Sequence, residues 1–366
     1  MSAGEFLNDV WTEAWRPPDR APAWEWAQRN IEGIPYSPLP GRFSVEHSPM
    51  LREVMQEIVN PRSRVVRIIA AVQSSKTTAI EVALCYIIAN MPGPTLWLTQ
   101  TDDDARIACE SRLQKIFDHC PAVRALYPAD RHKLRNTTVH FANDMTLWAA
   151  GAYNKKNLQM RSIRWLIGDE TWLWPPGHMA EAEARTTAFG WLSKCVFCSQ
   201  GGHVGDDTHN GYATTDQREW VYTCPHCGTE QPFQWSCIEW SKDSKNDEGE
   251  YDYRHVRSTT TMRCAHCDHR FEDRDDVRRA LNATARFKAQ NTNAASEYVG
   301  FHWNALCTMS WGMLAELYLR AVHAARKGDY NPLRQFWQKR LALPWDEVHE
   351  DYHVQTTPSD YRLGDY

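Results

Sequence analysis

VVRIIAAVQSSKTT, residues 65–78, sets a β-branched run directly against a short polar turn ending in Lys76, Thr77 and Thr78. A phosphate-binding loop needs these parts in this order: a buried strand, a turn of backbone N–H groups, a lysine, and a hydroxyl residue opening a helix. Val65, Val66, Ile68 and Ile69 supply the strand, and the turn Gln73, Ser74, Ser75 leads into Lys76. Yet Ala70 and Ser75 stand where the pattern G-x-x-x-x-G-K-[ST] has glycine. Taken alone, the stretch also fits an ordinary Ser/Thr cap between a strand and a helix.

Asp169-Glu170, at the end of IRWLIGDE (163–170), shift the reading. An apolar strand ending in two acids is the Walker B arrangement: the Asp orients Mg²⁺ and the Glu polarises the attacking water. Ligands of open α/β sheets bind beyond the carboxyl ends of strands, where both pieces fall. A capping pair before WLWPPG would explain one acid but not both. The loop Gln73, Ser74, Ser75, Lys76, Thr77, Thr78 is therefore expected to hold ATP and, with Asp169, Mg²⁺.

Around these two pieces the chain alternates strands and helices. TTAIEVALCYIIA (77–89) reads as a helix, PTLWLTQ (94–100) as a second buried strand, and DDDARIACESRLQKIFDHC (102–120) as an amphipathic helix with acids in its first turn. TTVHFANDMTLWAAG (137–151) reads as a hairpin, and KCVFCSQGG (194–202) as a short buried strand. Residues 60–202 thus imply a largely parallel α/β sheet. Cys195 and Cys198 lie in an apolar strand, where residues three apart face opposite ways, so they read as buried hydrophobes.

The 366 residues allow two domains, or one large domain with an insertion. Hydrophobic content of 42% with 24% charged residues is ordinary for a globular protein. No apolar run nears the roughly 20 residues of a membrane span, and the N-terminus lacks a signal-peptide pattern. A net charge of −5 means that any DNA contact uses a local patch or an assembled channel.

CPHCG (224–228) and CAHCD (264–268) form two C-x-x-C knuckles, the spacing by which thiolates converge on one tetrahedral ion. Cys224, Cys227, Cys264 and Cys267 are expected to bind structural Zn²⁺, the polar stretch SKDSKNDEGEYDYRHVRS looping out between them. His226 and His266 are expected to point outward.

The run QSSKT, IRWLIGDE, ARTTAF, KCVFCS, DQREWVYTCPHCGTEQPFQW, MRCAHC, GFHWNAL and RQFWQKRLALPWDE resembles the large terminase subunit of lambda-like tailed phages (GpA-type) over about residues 40–350. The resemblance implies an additional-strand, RecA-like P-loop ATPase that drives double-stranded DNA into a procapsid. Lys76 and Thr77 would serve as Walker A, Asp169 and Glu170 as Walker B, and Ser199 with Gln200 as the coupling motif. Val72 stands where many members have an arginine, so a charge-stabilising arginine is sought elsewhere, with Arg161 and Arg185 as candidates. The implied partners are a small terminase subunit and a portal, with a homo-oligomeric ring as the working form and the host cytoplasm as the setting.

The expected organisation is an N-terminal arm (1–45), an ATPase core (46–219), an inserted zinc-ribbon-like module (220–272), a helical C-terminal part (273–344) and a linker (345–366). The family's nuclease domain is expected to be missing, so ATPase activity without cleavage is the expectation. Two other readings fit the residues. One is a zinc-ribbon DNA-binding or scaffold protein with a degenerate nucleotide site; the other is a helicase-like translocase, which would need a second lobe.

Overall fold

Val65–Ala70 (β1) is buried along its whole length, and its β-branched residues sit at the centre of a ten-stranded sheet. The structure, a computed structural model, describes residues 4, 21–39, 41–128, 136–159, 161–245 and 250–346. Following β1 are β2 (Thr95–Thr99), β3 (Thr138–His140), β4 (Thr146–Gly151), β5 (Trp165–Asp169) and β6 (Lys194–Ser199). Then come β7 (Arg218–Thr223), β8 (Glu230–Pro232), β9 (Ile238–Glu239), β10 (Thr261–Arg263), β11 (Arg270–Glu272), β12 (Arg286–Ala289) and β13 (Tyr298–Trp303). The sheet runs β12-β7-β13-β1-β6-β5-β2-β4-β3, with β8 paired to β7. From β7 through β4 every neighbouring pair is parallel; β12, β3 and β8 pair antiparallel. The sheet is mixed α/β and largely parallel, as expected from the strand–helix alternation.

Alternation along the strands sorts side chains onto two faces. Val66, Ile68 and Ala70 of β1 join the larger core, while Val65 joins a second one with Leu96, Leu98 and Leu166. Cys198 falls in the first and Cys195 in the second, on opposite faces. The helix Lys76–Asn90 lies in the larger core and is buried nearly all round, which explains why it is apolar on every side.

The described part of the expected arm packs onto this helix. Ala23, Trp26 and Ala27 of the helix Ala23–Asn30 are buried, and Trp26 meets Tyr86 edge-on at 5.4 Å. Residues 273–344, expected to be helical, contain β12 and β13 as well as the helices Asp275–Ala283, Trp311–Ala325 and Asn331–Phe336. YVGFHW carries a glycine mid-strand because Gly300 lies against Thr215, where a Cβ would come within 2.0 Å of the hydroxyl oxygen. The expected linker beyond residue 346 lies outside the described residues.

After Phe336 a π-helical turn, Trp337–Leu341, ends at Ala342 in the left-handed region, and the chain then crosses the carboxyl edge of the sheet as a strap. Its backbone is bonded to both neighbours: Val72 N–H donates to the Lys339 carbonyl (2.9 Å), Gly201 N–H to that of Gln338 (3.1 Å), and Trp345 N–H to that of Gly202 (2.9 Å). His302 on β13 fastens the same strap, with Nδ1 2.7 Å from Glu219 Oε2 and Nε2 3.1 Å from the Leu341 carbonyl oxygen. Both ring nitrogens face acceptors, so the imidazolium is the form that satisfies both. Burial alone would lower its pKa; the Glu219 carboxylate outweighs that and holds it above the usual histidine value. A raised folded-state pKa stabilises fully below the unfolded value of about 6.5, and that stabilisation is lost as pH rises through the folded value. His302→Asn should therefore destabilise by about 1.5–3 kcal/mol at pH 6 in denaturant unfolding. The difference from wild type should shrink toward pH 9; a pH-independent difference would refute the charged-histidine assignment.

Candidate functional site

Parallel register brings the chemistry-bearing residues to one edge of the sheet. Ile69 of β1 pairs with Ser199 of β6, and Cys198 of β6 with Asp169 of β5. The turn after β1, the end of β6 and the acids ending β5 consequently share the carboxyl edge, with β6 between the other two.

The turn is not an ordinary hydroxyl cap. Ser75 precedes the helix Lys76–Asn90 with φ 68° and makes no side-chain cap hydrogen bond, and Gln73 is also left-handed at φ 60°. Ser74 folds back onto the Ala71 carbonyl (2.6 Å). Left-handed residues thus flank Ser74, a backbone alternation of the kind that builds anion-binding nests, at the positive end of a fifteen-residue helix. Serine takes the conformation that glycine would take freely, at a cost of roughly 1–2 kcal/mol.

Lys76 Nζ lies 3.0 Å from Glu170 Oε1, with the lysine side chain buried and the glutamate about one-third exposed. Burial pulls the Lys76 pKa down, but Glu170, aided by Cys198 and Asp169, leaves it raised overall. Thr77 Oγ1 lies 3.4 Å from Asp169 Oδ1. Burial first, and the Glu170 carboxylate second, push Asp169 up to about 7 against the pull of Lys76. Glu170, itself left-handed at φ 49°, accepts from Trp172 Nε1 at 2.9 Å, which fixes its second oxygen. Ser199 Oγ accepts from the Trp172 N–H (3.2 Å), and the buried Gln200 amide nitrogen has no hydrogen-bond partner among the described residues.

An open cleft of about 970 Å³ lies over this edge, lined by Val72, Gln73, Ser75, Lys76, Thr77, Thr78 and Glu170. Its other wall comes from residues 34–39 and 41–48, including Tyr36, Leu39, Phe43 and His47. Arg161 and Arg185 sit elsewhere: Arg161 stacks over Trp148, and Arg185 donates to the Gln159 carbonyl. Two arginines do line the cleft, Arg42 and Arg112, and the sequence reading misses both, Arg112 as one residue of an amphipathic helix.

The four cysteines converge. Their sulfurs lie within 4.8 Å of one another, with Cys224–Cys267 at 3.9 Å and Cys227–Cys264 at 3.8 Å. A tetrahedron with Zn–S bonds of about 2.3 Å has S–S edges of about 3.8 Å, so the donor set fits zinc in size and chemistry. The knuckles are matched: Gly228 N–H returns to the Cys224 carbonyl and Asp268 N–H to that of Cys264, with Gly228 and Asp268 both left-handed. Gln231 steadies the pair, donating to Cys264 Sγ (3.0 Å) and accepting from the Ala265 N–H (2.9 Å). His226 and His266 are exposed and outside the cluster. The first knuckle joins β7 to β8 and so grows directly from the main sheet, while the second joins β10 to β11 in a separate three-stranded sheet with β9. Of the stretch expected to loop out, residues 246–249 lie outside the described residues. Tyr253–Thr259 is a helix packed on Trp311–Ala325 through an Arg257–Glu316 ion pair.

The family model described as "Phage terminase large subunit gpA, ATPase domain" matches residues 37–286, more than half of the chain. The chain belongs to this terminase family. A second model, the gpA endonuclease domain, matches residues 298–359. This corrects the expectation that the nuclease part is missing, which rested on taking the first 344 residues as ATPase and the rest as a linker. The match begins at β13, which is bonded in parallel to β1, so the boundary cannot be read as a break in the sheet. No curated protein matches the terminase chain. Among solved structures it is similar to the Thermus phage P74-26 large terminase ATPase domain, at 12% identity, TM-score 0.44, covering 79% of this chain and 92% of that one. A point mutant of that domain gives 13%, 0.46, 85% and 96%; the HK97 bacteriophage large terminase gives 12%, 0.42, 51% and 42%. Among the described residues no helix is long and apolar enough to cross a membrane.

Ser75→Gly in this terminase should raise its unfolding free energy by roughly 1 kcal/mol, since glycine adopts the left-handed conformation without strain. Urea titration measures this, and a loss of stability would show that the serine side chain contributes more than its backbone strain costs.

Proposed function

We propose that this terminase chain hydrolyses ATP in the cleft between the 70–78 loop and the β5 end, using the energy to move double-stranded DNA. The approach of Lys76 to Glu170 and of Thr77 to Asp169 carries the reading, because it joins the loop and the strand end as one site. On this reading the N–H groups of Gln73 to Thr78 and the Lys76 ammonium receive the phosphates, whose oxygens compete with Glu170 for Lys76. The hydroxyl of Thr77 and the carboxylate of Asp169 are a hard-oxygen pair suited to Mg²⁺. Bound there, the ion would neutralise charge on the transferring phosphoryl group. Glu170, oriented by Trp172, takes the proton of the attacking water. The apolar wall at Leu39 and Phe43 receives the base.

On this reading Ser199 reports hydrolysis, a role supported by its hydroxyl accepting from the Trp172 N–H beside Glu170, and the Gln200 amide, without a partner among the described residues, offers a donor at the same edge. β6 between β1 and β5 supports the additional-strand, RecA-like reading. The lambda-like affiliation, the homo-oligomeric ring on a portal, the small-subunit partner and the host cytoplasm belong to this reading also. A ring would reconcile an acidic monomer with a polyanionic substrate by building the channel from several copies. Zinc in the four-cysteine cluster would be structural: four protein ligands leave no open position for chemistry.

Lys76→Ala should lower ATP turnover about 100-fold or more. Glu170→Gln should keep nucleotide binding and lose turnover by about 10²–10⁴-fold. Turnover by Lys76→Ala at the wild-type rate would sink the assignment of the loop. For the metal, elemental analysis should find close to one zinc per chain, and Cys267→Ala should lose the ion and melt at lower temperature. Less than about half an ion per chain would count against the site.

A further inference from the structure

Arg112 is one of two arginines that line the cleft. It lies in the π-helical turn Cys109–Leu113 interrupting the helical stretch 102–118, and such bulges recur at functional sites. Its Nε and Nη2 form a two-pronged pair with Glu81, at 2.5 and 2.9 Å, and Glu81 also accepts from the Tyr36 hydroxyl at 2.7 Å. Tyr36 stacks beneath the guanidinium, 4.5 Å from its centre. Glu81 follows Thr77 by four residues, so both lie on one face of the same helix.

The pair is lopsided. Glu81 is 1% exposed, whereas the Arg112 side chain is 36% exposed and lines the cleft that holds Lys76 and Glu170. Two of its five N–H groups are used by Glu81, and Nη1 has no hydrogen bond among the described residues. The side-on pair leaves both Nη1 hydrogens uncommitted to Glu81, on an arginine that lines the cleft. Arg42, on the far wall, is tied instead to the Arg29 carbonyl.

We propose that Arg112 is a direct contact for the terminal phosphate of the nucleotide, its planar fork held by Glu81 and Tyr36 so that Nη1 is presented to the cleft. A fixed donor aimed at developing charge needs no reorganisation during reaction, the condition under which such contacts are most effective. The inference rests on the nucleotide reading of the cleft.

The test compares affinity for ADP and for a non-hydrolysable ATP analogue, both with Mg²⁺, in the full chain. Arg112→Gln should weaken the triphosphate analogue at least tenfold and ADP less than threefold, and should lower ATP turnover at least tenfold. Arg106→Gln, which removes an arginine of the same helical stretch that pairs with Asp103 and Glu110 away from the cleft, should stay within threefold of wild type for both ligands. Equal weakening of both nucleotides by Arg112→Gln, or no weakening, would overturn the proposal. Should Arg112→Gln fail to fold, Arg112→Lys keeps the charge without the fork; it should still lower the triphosphate-to-diphosphate preference, and an unchanged preference overturns the proposal. If wild type binds neither nucleotide, the reading of the cleft fails and this inference with it. If wild type binds both and Lys76→Ala abolishes binding while Arg112 variants match wild type, only the role of Arg112 fails.

Discussion

The parallel bonding of β1, β6 and β5 is the constraint on which the site depends. Three strands in parallel must end on the same side, and the pairing of Ile69 with Ser199 and of Cys198 with Asp169 leaves those ends nearly flush. Had β6 slipped by one residue, its side chains would have changed faces, moving Cys195 and Cys198 into each other's cores. Burial of every residue in these strands but the terminal Asp169 makes such a slip costly, and so fixes where Lys76, Asp169, Glu170 and Ser199 stand. Lys76 can meet Glu170 from a distant part of the chain because the sheet has already placed them.

What the sequence disclosed follows from how local the signal is. The strands 65–70 and 165–169 are short, β-branched or apolar, and bounded by turn residues, so their type and order are readable. The four cysteines are readable because ligand spacing is itself the geometry. By contrast, YVGFHW hides a central strand behind a glycine whose purpose is contact with Thr215, a neighbour that only folding supplies. Arg112 is invisible for the same reason: its partner Glu81 is 31 positions away, and Tyr36 lies farther still. The missing glycine hints at the left-handed state of Ser75, but nothing in the residues hints at its nest-like partner Gln73.

The four-cysteine module is joined to this machinery more closely than an insertion would need to be. Cys224 directly follows β7, which pairs with β13, which pairs with β1. The first knuckle is thus a short step across the sheet from the strand that carries the phosphate loop. A metal there would clamp the end of β7 at the edge where Tyr222 packs between Phe233 and Phe271, so the module stiffens the flank of the sheet rather than hanging from it.

The strap gives the edge of the sheet a mechanical character. The Val72 N–H and the Gly201 N–H hold consecutive carbonyls of one π-helical turn, so the phosphate loop is hitched to Lys339 and the end of β6 to its neighbour Gln338. A hydrogen bond tolerates a stretch of only a few tenths of an ångström before it is weakened. Gly201 leaves no slack either, since even a methyl group there would come within 2.1 Å of the Leu343 carbonyl oxygen. The loop and the strand end therefore act on the departing chain as two hands on one tiller: moved together they carry it along, and moved apart they must turn it or let go.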